Sequence, residues 1–358
     1  MTSTRRRRCP GGRWRLGQLW RARRLWLAAA LLGGLLTACG TAGGGSDTIT
    51  IYNGQHPQTT DALVAAFERA TGIHVLVHNG EDDYSLADSV ILEGSHSPAD
   101  VIFTENSPPL EYLQEKGLLA HVDPATLANT PARFDSPIGD WVGVSARVSV
   151  LIYNPSLISK SQLPTSVLQL AEPQYRGKLA FAPGETDFQP IVTSVEHTDG
   201  EAATLNWLNG IKANSAGHRY ADNEGISSAV NSGAVAFGVV NQYYWYRLRA
   251  EIGAGSMHSE ISYFAAGDPG YVIDVSGAAV LRSSRHPAAA QRFLAFITSS
   301  AGQEIIAHST SFEYPIASGV TTVQSEAPFN ELHPNGITIE QLGDGLEAQD
   351  LLQRVELL

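Results

Sequence analysis

The sequence predicts an α/β protein of two lobes around a ligand cleft, on three observations. About 320 residues follow an N-terminal leader, more than one hydrophobic core usually serves. Helical and strand periodicities alternate along that length, the pattern of lobes built on mostly parallel sheets flanked by helices. A long valine-rich extended run over 141–153 is of the kind that leaves one lobe and enters another.

The leader comes first. Nine arginines between Arg5 and Arg24 precede an apolar run over 25–36 and the small residues Thr37 and Ala38, which predicts an export signal over 1–38. The apolar run falls short of the roughly 20 residues a membrane-spanning helix needs, an uncleaved anchor being the blander reading. Leu36-Thr37-Ala38-Cys39 resembles a bacterial lipoprotein box, which implies a lipid on Cys39 and a flexible tether over 39–47. Arg5 to Arg8 are followed by Cys9 and Pro10, so the Sec and twin-arginine routes both stay open. The expected location is the outer face of the bacterial cytoplasmic membrane, at the cell surface or in the periplasm.

Without the leader's nine arginines, 24 − 9 = 15 basic residues face 36 acidic ones, a net charge of −21. That sign argues against nucleic acid and is compatible with drawing cations. No cysteine follows Cys39, so disulfides and thiolate metal sites are excluded from the exported body.

The elements then run in doubly wound order. Strands are expected over 48–52, 73–78 and 100–103, alternating with helices over 57–71, 84–93 and 109–116. The run 141–153 carries a hinge near 147–149. Beyond it come a helix near 166–170, a strand over 178–181, a helix over 201–212 and a strand over 234–240. A return crossing near 271–275 leads to a strand over 278–281 and a helix over 288–297. The lobes are thus expected to be 48–148 with 273–322, and 149–272 with 323–358, their cleft able to close by hinge motion.

Three polar clusters follow expected strands: Asn53-Gly54-Gln55-His56, Thr104-Glu105-Asn106 and Asn241-Gln242-Tyr243-Tyr244. Ligands of open α/β sheets bind outside the carboxyl ends of strands, so the clusters are expected to meet across the cleft. Phenolate and carboxylate oxygens with one imidazole nitrogen suit a hard trivalent cation. Two tyrosinates and one glutamate match the charge of Fe(3+), and binding must drive two phenol protons off. Blander readings stand beside this one. His56 before Pro57 suits a helix start, Glu105 suits a solvated position near a helix start, and the aromatic run suits an apolar wall.

At these residues the chain resembles the ferric-ion-binding substrate-binding proteins of bacterial ABC iron transporters. The matching segments are Ile49-Thr50-Ile51-Tyr52-Asn53-Gly54-Gln55-His56, Pro98-Ala99-Asp100-Val101-Ile102-Phe103-Thr104-Glu105, Asn241-Gln242-Tyr243-Tyr244-Trp245-Tyr246 and Ser276-Gly277-Ala278-Ala279-Val280-Leu281. The resemblance covers about 48–350. It implies a type II periplasmic-binding-protein fold, a monomer, and iron ligands at His56, Glu105, Tyr243 and Tyr244. It also implies a synergistic anion such as phosphate or carbonate, near Asn223 and Asn241, and as partners a membrane permease and, through it, a cytoplasmic ATPase.

The pattern departs from the family in the anion-cradling loop, which reads Glu185-Thr186-Asp187 and would repel phosphate. Either acid is expected to reach the metal or a bound water in place of an anion, or else to face solvent in a Pro-Gly turn. A related protein for an organic solute, such as a phosphonate, a polyamine or an iron chelate, is the competing reading, with the tyrosines stacking on the ligand. An enzyme is not expected. Neither a G-x-S-x-G elbow, nor an H-E-x-x-H helix, nor a Walker loop is present.

Overall fold

The computed structural model describes residues 48–80, 82–215, 217–322 and 327–358. The expected leader, Cys39 and the tether lie outside the described residues. Among the described residues nine strands form the sheet: β1 (Thr48–Asn53), β2 (His74–Asn79), β3 (Val101–Thr104), β4 (Val142–Tyr153), β5 (Leu179–Ala180), β6 (Phe237–Asn241), β7 (Glu260–Ser262), β8 (Ile273–Val280) and β9 (Tyr314–Pro315). They run in the order β2-β1-β3-β8-β4-β6-β5, with β7 and β9 paired to β4 off that path.

The sheet is mixed rather than mostly parallel. β1 pairs in parallel with β2 and β3, and β5 with β6, whereas each antiparallel pairing involves β4 or β8. The physical reason is the route of the chain. It leaves the first half of the sheet in β4 and returns in β8, so the two crossing strands lie side by side and run in opposite directions.

β4 is buried at all twelve positions. Its first part pairs with β8, from Val142↔Ala278 to Val148↔Ile273, and its last part with β6, from Ser149↔Asn241 to Tyr153↔Phe237. The partner therefore changes between Val148 and Ser149.

The first helix, Pro57–Thr71, starts on a proline and ends on Gly72 in the left-handed conformation. Its buried Phe67 meets the Phe293 ring edge-on at 5.2 Å, and that burial contributes roughly 2 kcal/mol. One apolar cluster lies between this helix, the helix Pro287–Thr298 and the sheet. A larger one runs from Trp141 through Val148 and Val150 to Phe237 and Leu351.

Two expectations are revised. The helix expected near 166–170 is a 3-10 turn, Val167–Ala171, because Pro173 disfavours helical geometry at Glu172. The crossing near 271–275 and the strand over 278–281 are one strand, β8. The tyrosine pair, which directly follows the strand expected over 234–240, sits in the first turn of the helix Gln242–Ile252.

Candidate metal centre

Register brings the cleft residues together. β1 and β3 pair in parallel with Asn53 opposite Phe103, so their carboxyl ends are level and His56 and Glu105 emerge side by side. β6 ends at Asn241, opposite Ser149 where β4 changes partner, and the next residues start the tyrosine helix. Side chains in a first helical turn lean back over the N-terminus, where the backbone amides favour anionic oxygen.

Tyr243 Oη lies 2.5 Å from Glu105 Oε1 and 3.1 Å from Asp187 Oδ2. Tyr244 Oη donates to the same Asp187 Oδ2 at 3.0 Å, as does Asn223 Nδ2 at 3.1 Å. One phenol proton on Tyr243 cannot serve two carboxylates, so the oxygens are crowded beyond the hydrogens available. His56 Nε2 lies 3.6 Å from Glu105 Oε1, and its ring meets Tyr243 edge-on at 5.0 Å. Although His56 is the cap residue of Pro57–Thr71, its side chain makes no cap hydrogen bond and faces this cluster. Its Nδ1 lies 2.5 Å from Gln55 Oε1, an acceptor, which assigns the proton to Nδ1 and leaves the Nε2 lone pair free.

The electrostatics follow from burial. Burial, and then the charges of Asp187 and Glu105, push both phenols well above their ordinary value. Burial and the Glu105 charge push Asp187 up to about 6 against the pull of Arg147 and the phenol hydrogen bonds. Glu185 is raised to about 8 by burial, Asp187 and Glu105, and His56 is lowered to about 4 by burial, so its imidazole is neutral at pH 7. Every one of these oxygens is short of positive charge, and an added cation would supply it. Among the described residues no group of three His, Cys, Asp or Glu side chains is placed to hold a metal without further help. A cation held here draws on the phenol oxygens.

The sequence pattern of bacterial extracellular solute-binding proteins matches residues 53–304. This chain belongs to that family. The solute-binding protein is 38% identical to the Fe(3+)-binding periplasmic protein of Serratia marcescens, over 88% of this chain and 92% of the relative. It is 34% identical to the major ferric iron-binding protein of Neisseria meningitidis, over 91% and 97%. Iron-bound HitA from Pseudomonas aeruginosa superposes with a TM-score of 0.82 at 41% identity, over 87% of this chain and 99% of that one. The family branch is thus that of periplasmic ferric iron-binding proteins, whose neighbours share the two-lobed fold.

In the solute-binding protein the expected loop divides its tasks. Glu185 lines a cleft of about 300 Å³ with His56, Glu105, Tyr244 and Arg247, Thr186 accepts from Asn106 Nδ2 at 2.7 Å, and Asp187 joins the phenols. Asn223 reaches Asp187, whereas Asn241 Oδ1 accepts from Ser149 Oγ at 3.4 Å. Sequence reasoning missed three supports. Asp83 is buried and accepts the backbone N–H groups of Glu105 and Asn106, each at 3.0 Å from Oδ2. Arg147, also buried, donates to Asn106 Oδ1 at 3.0 Å, lies 3.7 Å from Glu105 Oε1 and pairs with Glu313. The acidic pair Asp82-Asp83 before an amphipathic run was a readable sign for the first, whereas Glu313 stands 166 residues from Arg147 and no local sign links them.

Proposed function

We propose that the protein captures ferric iron in this cleft through His56, Glu105, Tyr243 and Tyr244, without catalysis, and delivers it to an ABC permease driven by a separate cytoplasmic ATPase. The observation that carries the reading is the knot of Tyr243, Tyr244, Glu105 and Asp187 oxygens, with the neutral His56 nitrogen beside it. Its chemistry is that of a hard-cation site, and the near relatives are named for ferric iron. In this reading the lobes are 48–148 with 273–322 and 149–272 with 323–358, hinged near 147–149. The change of partner along β4 supports that division, as does the packing of the helix Leu346–Arg354 on the helices Gln189–Asp199 and Glu201–Asn214. The exported chain is a monomer held to the membrane by a lipid on Cys39.

Visible absorption tests the ligand set. Ferric loading should give a tyrosinate charge-transfer band that shifts and weakens in Tyr243→Phe and Tyr244→Phe. A colourless protein after loading would refute the assignment. The 300 Å³ cleft beside Tyr244 favours a second reading, an organic ligand or an iron chelate. Retention of the chelator in one-to-one ratio with iron would select it.

A further inference from the structure

We propose that Gln55 is a positioning residue for iron capture. Held by Ser276 of the returning strand β8, it keeps the proton of the His56 ring on Nδ1 and so leaves Nε2 open to the metal. This rests on the reading of His56 and Glu105 as ligands.

The side-chain amide of Gln55 has only one orientation open to it. Gln55 is buried, and the groups around it fix which end is which. At one end the backbone N–H of His56 donates to Oε1 at 2.6 Å. At the other, Nε2 donates to Ser276 Oγ at 2.7 Å and faces Glu313 Oε1 at 3.4 Å. Ser276 gives its own hydrogen to the Thr104 carbonyl at 2.7 Å, and an ionised carboxylate only accepts, so that end has to be the amide nitrogen. Oε1 therefore meets the His56 ring 2.5 Å from Nδ1, and an acceptor at that distance requires the hydrogen on the ring nitrogen.

The other tautomer defeats the site. A neutral imidazole carries one N–H. Were it on Nε2, it would face Glu105 Oε1 across 3.6 Å, and the two ligands would satisfy each other instead of a cation. Glu313 Oε2 cannot take over the role of Gln55, because it lies 3.9 Å from Nδ1, beyond hydrogen-bond reach. The fraction of protein with an open Nε2 scales the apparent affinity, and Gln55 sets that fraction. Its backbone is held as well, since Asn53 Nδ2 donates to the Gln55 carbonyl at 2.7 Å. The hydroxyl of Ser276 thus binds the Gln55 amide and also the carbonyl directly before Glu105, so one side chain on β8 orders both ligand-bearing turns.

The test uses the exported protein without its leader. Nitrogen-15 NMR of the iron-free protein with labelled histidine reads the tautomer, the His56 signals being those lost in His56→Gln. The rate of iron loss to desferrioxamine and the charge-transfer band are read after loading from ferrous chloride oxidised in air. The wild type should carry its His56 proton on Nδ1. Gln55→Met, which keeps the length and loses the acceptor, should move that proton toward Nε2 and lose iron at least about tenfold faster. Gln55→Glu retains an oxygen against Nδ1, so it should keep the proton there and release iron more slowly than Gln55→Met. A wild-type proton on Nε2, or on both nitrogens, would overturn the proposal. So would faster release from Gln55→Met with the tautomer unchanged, which would reduce Gln55 to packing, and so would a moved tautomer with release unchanged. Should Gln55→Met fail to fold, the wild-type tautomer and Gln55→Glu still decide it. Absence of any band in the wild type would instead refute the ligand set, and the metal role of Gln55 would fall with it even where the proton lies on Nδ1.

Discussion

Removing the Tyr84 hydroxyl should shorten the lifetime of bound iron without touching its colour. Tyr84 stands on the first turn of the helix Asp83–Glu93 and donates to the backbone carbonyl of Asp344 at 2.7 Å. Asp344 precedes the helix Leu346–Arg354, which packs on the Asp187 side of the cleft, whereas Tyr84 follows Asp83, which holds the Glu105 loop. The bond thus ties the two sides outside the metal cluster. A neutral hydrogen bond contributes a net ~0.5–1.5 kcal/mol. Water can reach this half-buried site and take over part of the loss, so about 1 kcal/mol remains, or about fivefold in rate. Gly345 offers an independent route to the same contact. Its φ of +75° suits glycine, and an added Cβ would lie 2.1 Å from Tyr84 Oη. Stopped-flow mixing of loaded Tyr84→Phe and Gly345→Ala with desferrioxamine should give faster iron loss in both, with the charge-transfer band unmoved. Unchanged release in both variants, or a displaced band, would refute the argument.

Three further outcomes follow from the same geometry. With Tyr243 and Tyr244 as the proposed ligands, iron binding releases one proton from each phenol, so log affinity should fall by about two for each unit of pH lost, steepening toward three below about pH 6, where Asp187 also holds a proton; titrations at several pH values giving a flat line would contradict phenolate ligation. Burial, and then the Glu105 charge, push Asp83 from 3.8 up to about 8, so the stability it lends is complete below the lower value and is lost as pH rises through the upper one. Iron-free Asp83→Asn, which mimics the protonated acid, should accordingly show a flatter melting temperature between about pH 5 and about pH 9 than the wild type, and parallel curves would count against this. Gly54→Ala would place a Cβ 1.8 Å from Asp83 Oδ1 and should cost about 1–3 kcal/mol, seen as a lower urea midpoint.

What the sequence made legible is local, and what it hid is long-range. β1 and β3 announce themselves as short apolar runs ending in polar residues, and parallel pairing then places His56 beside Glu105. The tyrosine pair was expected only to follow a strand, because Tyr-Tyr-Trp-Tyr has strand-like composition and no local sign of the helix that the surroundings wind it into. β8 was read as two pieces because Ser276-Gly277-Ala278 interrupts its apolar pattern, yet Gly277 lies opposite Thr104 in the ladder with β3 and opposite Gly143 in the ladder with β4, whose register shifts only between Gly143 and Ser145. Antiparallel crossing strands leave no mark in periodicity, since pairing direction depends on where the chain goes next. The part of Asp187 in the site was visible as a departure from the family pattern, while its two phenol contacts required the fold.

The support beneath the cluster explains how a fold can hold so much like charge near one point. Arg147 is fully buried. Burial alone would pull its guanidinium down, but Glu313 and then Glu105 outweigh that and hold it charged above its ordinary value. Because Glu313 cancels that charge, the carboxylates and phenols above keep their full negative balance for a trivalent ion. Removing Glu313 would leave a buried cation unpaired, a loss of order 3–5 kcal/mol. The backbone is held to deliver it, for Phe312 adopts φ +59°, a left-handed conformation unfavourable for a side chain of its size. Gln242 secures that turn from the other side. Its Nε2 donates to the Phe312 carbonyl at 3.0 Å while its Oε1 accepts from Val148 N at 2.9 Å, at the last β4 residue paired with β8. One side chain at the start of the tyrosine helix thereby holds both the crossing strand and the Glu313 segment. In the proposed reading, with a hinge near 147–149, opening of the cleft turns about Gln242 or breaks it, which would couple release of the metal to the change of partner along β4.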